Sequence, residues 1–157
     1  MHSSYSSLSS LERGSISTSP FGTVGRHVIA DLTHCNSNLI ADLDFVKKIL
    51  EEAVVKAKAT IISSRFHRFS PTGVSGIILL SESHCSIHTW PDEGYAAIDI
   101  YTCGEHVFPQ VACDHIAGQL QAKKVCLTTL ERGLRVPYDS AYIHEVQQAT
   151  TILQAAE

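Results

Sequence analysis

The chain has 157 residues, 12 Lys and Arg against 16 Asp and Glu for a formal charge of −4, and 44% hydrophobic residues. That length suits one domain that buries its own core without a disulfide or metal staple, and the acidic balance offers no basic stripe of the kind that neutralises nucleic-acid phosphates. Five cysteines at 35, 85, 103, 113 and 126, odd in number and without a CxxC pair, suit reduced thiols and a cytoplasmic protein, and no apolar run is long enough to span a membrane.

Residues 1–24, with nine serines among the first twenty and no apolar core of a signal peptide, are expected to form a disordered tail. Folding is expected to start at GRHVIADLTHC (25–35), where Val28, Ala30 and Leu32 alternate with other residues as in a half-buried strand. Asn36, Ser37 and Asn38 offer capping oxygens. From Leu39 onward Leu43, Val46, Ile49, Leu50, Ala53, Val54 and Ala57 recur at three- and four-residue intervals, the stripe of an amphipathic helix.

Extended segments follow in ATIISSRFHRF, VSGIILLSES, HCSIHTW and YAAIDIYTC, with turns at SPTG (70–73) and PDEG (91–94). Connections this short favour antiparallel neighbours, since a parallel partner needs a long crossover. Pro109 suits the first turn of a second helix carrying Ala112, Ile116 and Leu120, KKVCLTTLERG (123–133) reads as a strand, and 134–157 as an extension made of a loop and a weak helix. The expected class is α+β: a two-layer sandwich of one mostly antiparallel sheet with two helices on one face, in the order β-α-β-β-β-α-β. The other sheet face then needs a cover, which a second copy of the chain can supply.

LSESHCSIHTW (80–90) is dense in reactive groups for a strand next to an apolar run. With side chains alternating, His84, Ser86, His88 and Trp90 share one face, while Ser83, Cys85, Ile87 and Thr89 share the other. For any single residue here, a solvated edge strand is an adequate account. His84, His88 and Cys103 carry zinc-compatible atoms, but histidines four apart converge only on a helix. A Ser/His hydrolase lacks both the GxSxG turn and an obvious acid to orient a histidine. A third reading is a serine hydroxyl that attacks the carbonyl before it, converting amide to ester, whose β-elimination leaves a ketone-like group.

FHRFSPTGVSGIILLSESHCSIHTWPDEGYAAIDIYTCGEH (66–106), together with GRHVIADL and KKVCLTTLERG, resembles the prokaryotic S-adenosylmethionine decarboxylase proenzymes, which make their own pyruvoyl cofactor. The likeness spans roughly 25–133, which it makes the pyruvoyl-dependent decarboxylase domain. It implies cleavage of the Glu82–Ser83 bond, with Ser83 becoming the pyruvoyl group and no metal required. It further implies proton transfer in processing by His88 and assistance from Ser75. Cys103 is the implied acid that protonates the substrate carbon after carbon dioxide leaves, and Phe69 the ring stacked on adenine. Asp92 stands where the family commonly has a glutamate for the ribose hydroxyls, and it is one methylene shorter. Cys85 replaces a usual aliphatic residue.

The resemblance thus implies decarboxylation of S-adenosylmethionine through a Schiff base, supplying aminopropyl groups for spermidine synthesis, in a homo-oligomer, a dimer of processed protomers. No nucleic acid or membrane partner is expected. Two alternatives stand beside it. One is a pyruvoyl-dependent decarboxylase of arginine or ornithine that keeps Ser83 and Cys103, and the other a non-enzymatic metal-binding α/β module.

Overall fold

A computed structural model describes residues 24–133 and the backbone of 150–154. The elements are β1 (Gly25–Thr33), α1 (Ser37–Ala41), α2 (Leu43–Lys56), β2 (Ile61–Arg68), β3 (Val74–Leu80), β4 (Ser83–Trp90), a 3₁₀ turn (Pro91–Glu93), β5 (Tyr95–Cys103), α3 (Pro109–Gln119), β6 (Lys124–Arg132) and β7 (Thr150–Gln154). All strands join one sheet in the order β2-β3-β4-β5-β1-β6-β7, and every neighbouring pair is antiparallel. The α+β sandwich expected from the sequence is the observed architecture. Four strands, not the three of the expected order, lie between α2 and α3, one for each of the four extended segments.

The single helix expected from Leu39 is two helices. Asn36 caps α1 by accepting from the Asn38 and Leu39 amides. Asp42 is extended (φ −88°, ψ 108°) and takes the Asp44 and Phe45 amides on its carboxylate at 2.9 and 3.2 Å, so it ends α1 and starts α2. Pro109 opens α3 as expected, where its missing amide hydrogen costs no intrahelical bond. Within the C-terminal extension, 150–154 pairs with β6 as a strand and not as a weak helix, consistent with the β-branched run Thr150, Thr151 and Ile152. The expected tail at 1–24, apart from Val24, and the remainder of the extension lie outside the described residues.

Strand alternation divides the sheet into two faces. Val28, Ala30, Leu32, Val74, Ile78, Leu80, Cys85, Ile87, Ala96, Ile98 and Ile100 point toward the helices, where Val46, Ile49, Leu50, Ala53, Ala112, Ile116 and Leu120 complete the core. Phe66 folds over Gly76, where a Cβ would meet the ring at 2.2 Å, so any larger residue there would displace it. The opposite face carries Ile29, Ile77, Leu79 and Trp90, each 40–50% exposed, beside His27, Ser75, His84, Ser86, His88, Asp99 and Cys103. This open face holds the two histidines of β4, Asp99 and Cys103, while Ser83 stands at its end where β3 turns into β4.

Candidate active site

Leu80 pairs with Ser83, so Ser81 and Glu82 form a two-residue hairpin loop at one end of the sheet's centre. Tight hairpins normally place left-handed residues inside the loop to match strand twist. Here the positive φ falls on the residue just after it, Ser83 at +148°, a conformation that favours glycine.

The loop is held on three sides. The Ser81 amide donates to the Thr60 carbonyl at 2.9 Å. Glu82 is buried, and its carboxylate accepts from the Thr60 amide at 2.9 Å and lies 3.6 Å from His106 Nε2. Burial alone would raise the Glu82 pKa, but hydrogen bonds from the Thr60 and Glu82 amides and from His106 outweigh it and leave the carboxyl below its usual range. Gly104 (φ +86°) lets the chain after Cys103 fold back so that His106 reaches this point; a Cβ there would sit 2.9 Å from the His106 ring. Arg26 fixes the same segment by donating to the Glu105 and Val107 carbonyls at 3.2 and 3.0 Å.

The Glu82 carbonyl oxygen, part of the Glu82–Ser83 peptide, accepts a hydrogen bond from the Cys103 amide at 2.9 Å. A donor there polarises the carbonyl and would stabilise negative charge on its oxygen during attack. The Ser83 hydroxyl lies 3.2 Å from His84 Nδ1, and His84 Nε2 lies 2.9 Å from Asp99 Oδ1. Asp99 is diagonal to both His84 and His27, since each histidine pairs directly with Tyr101 from its own side of β5. His27 Nε2 is also 2.9 Å from Asp99 Oδ1, although without the alignment of a hydrogen bond, and its Nδ1 faces Arg132 at 3.3 Å. Burial would raise the Asp99 pKa, and the two histidines more than reverse this, so the carboxyl falls below its usual value.

A second group gathers at the opposite end of β4. Ser75 and His88 are cross-strand partners with Ser75 Oγ 2.7 Å from His88 Nδ1. Phe69 follows directly on β2, which runs alongside Ser75 at His67, and Asp92 lies exposed in the turn after Trp90. Phe69 is 49% exposed and makes an edge contact with His67 at 4.7 Å, so it presents an aromatic surface, whereas Phe66 is partly buried against the core. Five residues of extended strand separate Ser83 from His88, about 16 Å. Within one chain the structure therefore unites Glu82, Ser83 and Cys103, and separately Ser75 and His88, with Phe69 and Asp92 in the segments that directly follow β2 and β4.

Between the two groups lies an open hollow of ≈ 750 Å³ lined by Ile29, Ile77, Leu79, Ser86, Ala97 and Asp99, among others. The zinc-compatible trio of His84, His88 and Cys103 is not assembled, because each histidine engages a different partner four residues apart on a strand. The acid that the sequence left unassigned is Asp99. Its only sequence signal was an isolated charge inside YAAIDIYTC, and pairing it with His84 and His27 requires the strand register.

The sequence model described as S-adenosylmethionine decarboxylase matches residues 26–133. The chain is 46% identical over 111 residues to a protein of Caldicellulosiruptor saccharolyticus named S-adenosylmethionine decarboxylase proenzyme, covering 71% of this chain and 90% of that one. It is 42% identical over 124 residues to a protein of the same name from Thermotoga petrophila, covering 76% and 95%. Among solved structures it is similar to the adenosylmethionine decarboxylase of Aquifex aeolicus, with 40% identity and a TM-score of 0.68 over 76% of this chain and 98% of that one.

Proposed function

The chain belongs to the S-adenosylmethionine decarboxylase family, and we propose that it cleaves itself between Glu82 and Ser83 and uses the resulting pyruvoyl group to decarboxylate S-adenosylmethionine, yielding an aminopropyl donor for spermidine synthesis. One observation carries this reading: a serine with φ +148° follows a peptide carbonyl that is already hydrogen-bonded by the Cys103 amide. Strain of about 1–3 kcal/mol at such a residue raises the energy of the intact peptide. The amide hydrogen bond stabilises the charge that develops on the carbonyl oxygen when the hydroxyl attacks.

The pyruvoyl carbonyl supplies the electron sink that a departing carboxylate requires. The chain's own residues do the remainder. Cys103, part-exposed at the end of β5 next to the Ser83 pairing partner Thr102, is the residue proposed to return a proton to the substrate carbon. Phe69 offers an exposed ring for adenine, and the face of that ring also suits a sulfonium cation. Asp92 is the ribose-facing acid. A guanidinium or ammonium substrate is less well served at the centre of the open face, where Asp31 accepts from the Tyr95 hydroxyl and Asp99 lies 2.9 Å from both His84 and His27.

The two residue groups at opposite ends of β4 also support a dimer. Two copies facing each other about a two-fold axis, open face to open face, would cover Ile29, Ile77 and Leu79 and set the Ser83 end of one against the His88 end of the other. Ser75 and His88 of a second copy would then assist processing at Ser83. Among the described residues no helix is long and apolar enough to cross a membrane.

Offering S-adenosylmethionine, arginine and ornithine separately and measuring released carbon dioxide tests the substrate assignment. Release from S-adenosylmethionine alone is expected. Release from arginine or ornithine instead would overturn it.

A further inference from the structure

We infer that His84, oriented by Asp99, is the base that removes the Ser83 hydroxyl proton in the first step of self-cleavage. The inference rests on Ser83 being the internal nucleophile and assigns what activates it. An ionised Asp99 can only accept hydrogen bonds, so at 2.9 Å it requires the proton of a neutral His84 to sit on Nε2. Nδ1 is then bare, and it is the atom 3.2 Å from Ser83 Oγ. Nucleophile, base and orienting acid therefore stand in the relationship used for serine activation elsewhere, built here from adjacent residues on β4 and a diagonal neighbour on β5. His27 approaches the same carboxylate oxygen, and Arg132 faces the other nitrogen of that ring, so Asp99 is held from both flanking strands.

The step balances as an isomerisation. Ser83 Oγ bonds to the Glu82 carbonyl carbon while its proton passes to His84 Nδ1, and the carbonyl electron pair moves onto the oxygen held by the Cys103 amide. The pair returns, the carbon–nitrogen bond breaks, and the departing nitrogen takes the proton from His84. An ester and a free amine at residue 83 result, with no external reactant. Within one chain His88 lies about 16 Å along the same strand, so it reaches residue 83 only from the second copy of the proposed dimer, whereas His84 already touches the hydroxyl in its own chain. His88 is left for the elimination that follows. His84 touches a reacting atom and is catalytic, whereas Asp99 acts through it and is a positioning residue.

The test follows cleavage of newly made protein by denaturing electrophoresis, with hydroxylamine added to cut any ester at Glu82. His84→Ala and His84→Asn should both slow cleavage by about 10²–10⁴-fold, the usual contribution of a general base. The second substitution keeps a hydrogen-bond acceptor but cannot take the proton. The accumulating species should be the intact amide, insensitive to hydroxylamine, and free imidazole should partly restore cleavage of His84→Ala. Asp99→Asn should also slow the wild-type background but add little to His84→Ala, the non-additivity expected of a residue acting through another.

Wild-type cleavage rates in both His84 variants, or accumulation of the hydroxylamine-sensitive ester, would overturn the assignment while leaving Ser83 as the nucleophile. Loss of cleavage in chelator with recovery on adding a divalent cation would also overturn it, since His27, His84 and Asp99 have potential ligand atoms within 4.8 Å of one another. If wild-type protein itself never cleaves, the underlying reading of Ser83 fails instead.

Discussion

Replacing Ser83 by glycine and by alanine separates backbone strain from chemistry. Both variants lack the hydroxyl and lose the contact with His84, so neither should cleave, and they differ only by a Cβ at φ +148°. Relief of a positive-φ non-glycine residue is worth about 1–3 kcal/mol. The extra chain entropy of unfolded glycine offsets about 0.5–1 kcal/mol of this. At the middle of each range Ser83→Gly should therefore be the more stable by about 1.2 kcal/mol, which at about 4 °C per kcal/mol for a domain of roughly this size raises the melting temperature by about 5 °C. Calorimetry at one protein concentration removes the contribution of association. A Ser83→Gly protein that melts at or below the Ser83→Ala protein would show that no strain is stored at the cleavage point. The same strain, if released by the transition state for attack, speeds cleavage by about tenfold per 1.4 kcal/mol.

Co-expressing Ser83→Ala with His88→Ala chains tests the composite dimer: random pairing should let about half of the His88→Ala chains cleave, whereas rescue of none would place Ser83 and His88 in independent single-chain sites. Cys103→Ala should still cleave itself but turn over about 10²–10⁴-fold more slowly, with frequent conversion of the pyruvoyl group to alanine detectable by mass; normal turnover would remove Cys103 as the proton donor. Asp99 and Glu82 both titrate lower folded than free, so their stabilisation is complete above the ordinary carboxylate range near about 4 and is lost as the pH falls below it. In a non-cleaving Ser83→Ala background, Asp99→Asn should therefore narrow its stability deficit as the pH drops from 6 to 3, measured by denaturant titration; a constant deficit would contradict the assigned contacts of the Asp99 carboxylate with the two histidines.

The sheet and helices were legible because their signals are local: alternation in VSGIILL and YAAIDIYTC, the three- and four-residue stripe from Leu43 to Ala57, and Pro109 at a helix start. The break at Asp42 was not, because the apolar stripe continues across it while the capping carboxylate interrupts the backbone. The strand at 150–154 depends on pairing with β6, which is a long-range contact. At the site, the resemblance gave Ser83, Cys103 and His88 but not their separation into two ends of one strand. Nor did it give Asp99, which meets His84 only through the register of β4 against β5. Cys85 is the small buried residue that its place in the apolar alternation implied, its thiol pushed up to about 12 chiefly by burial.

The most direct test of self-cleavage is the intact mass of purified protein that releases carbon dioxide from S-adenosylmethionine. Two chains are expected, one ending at Glu82 and the other beginning at residue 83 and lighter than its serine form by the elements of ammonia. A single continuous polypeptide with an unmodified serine at position 83 in the active protein would contradict the account.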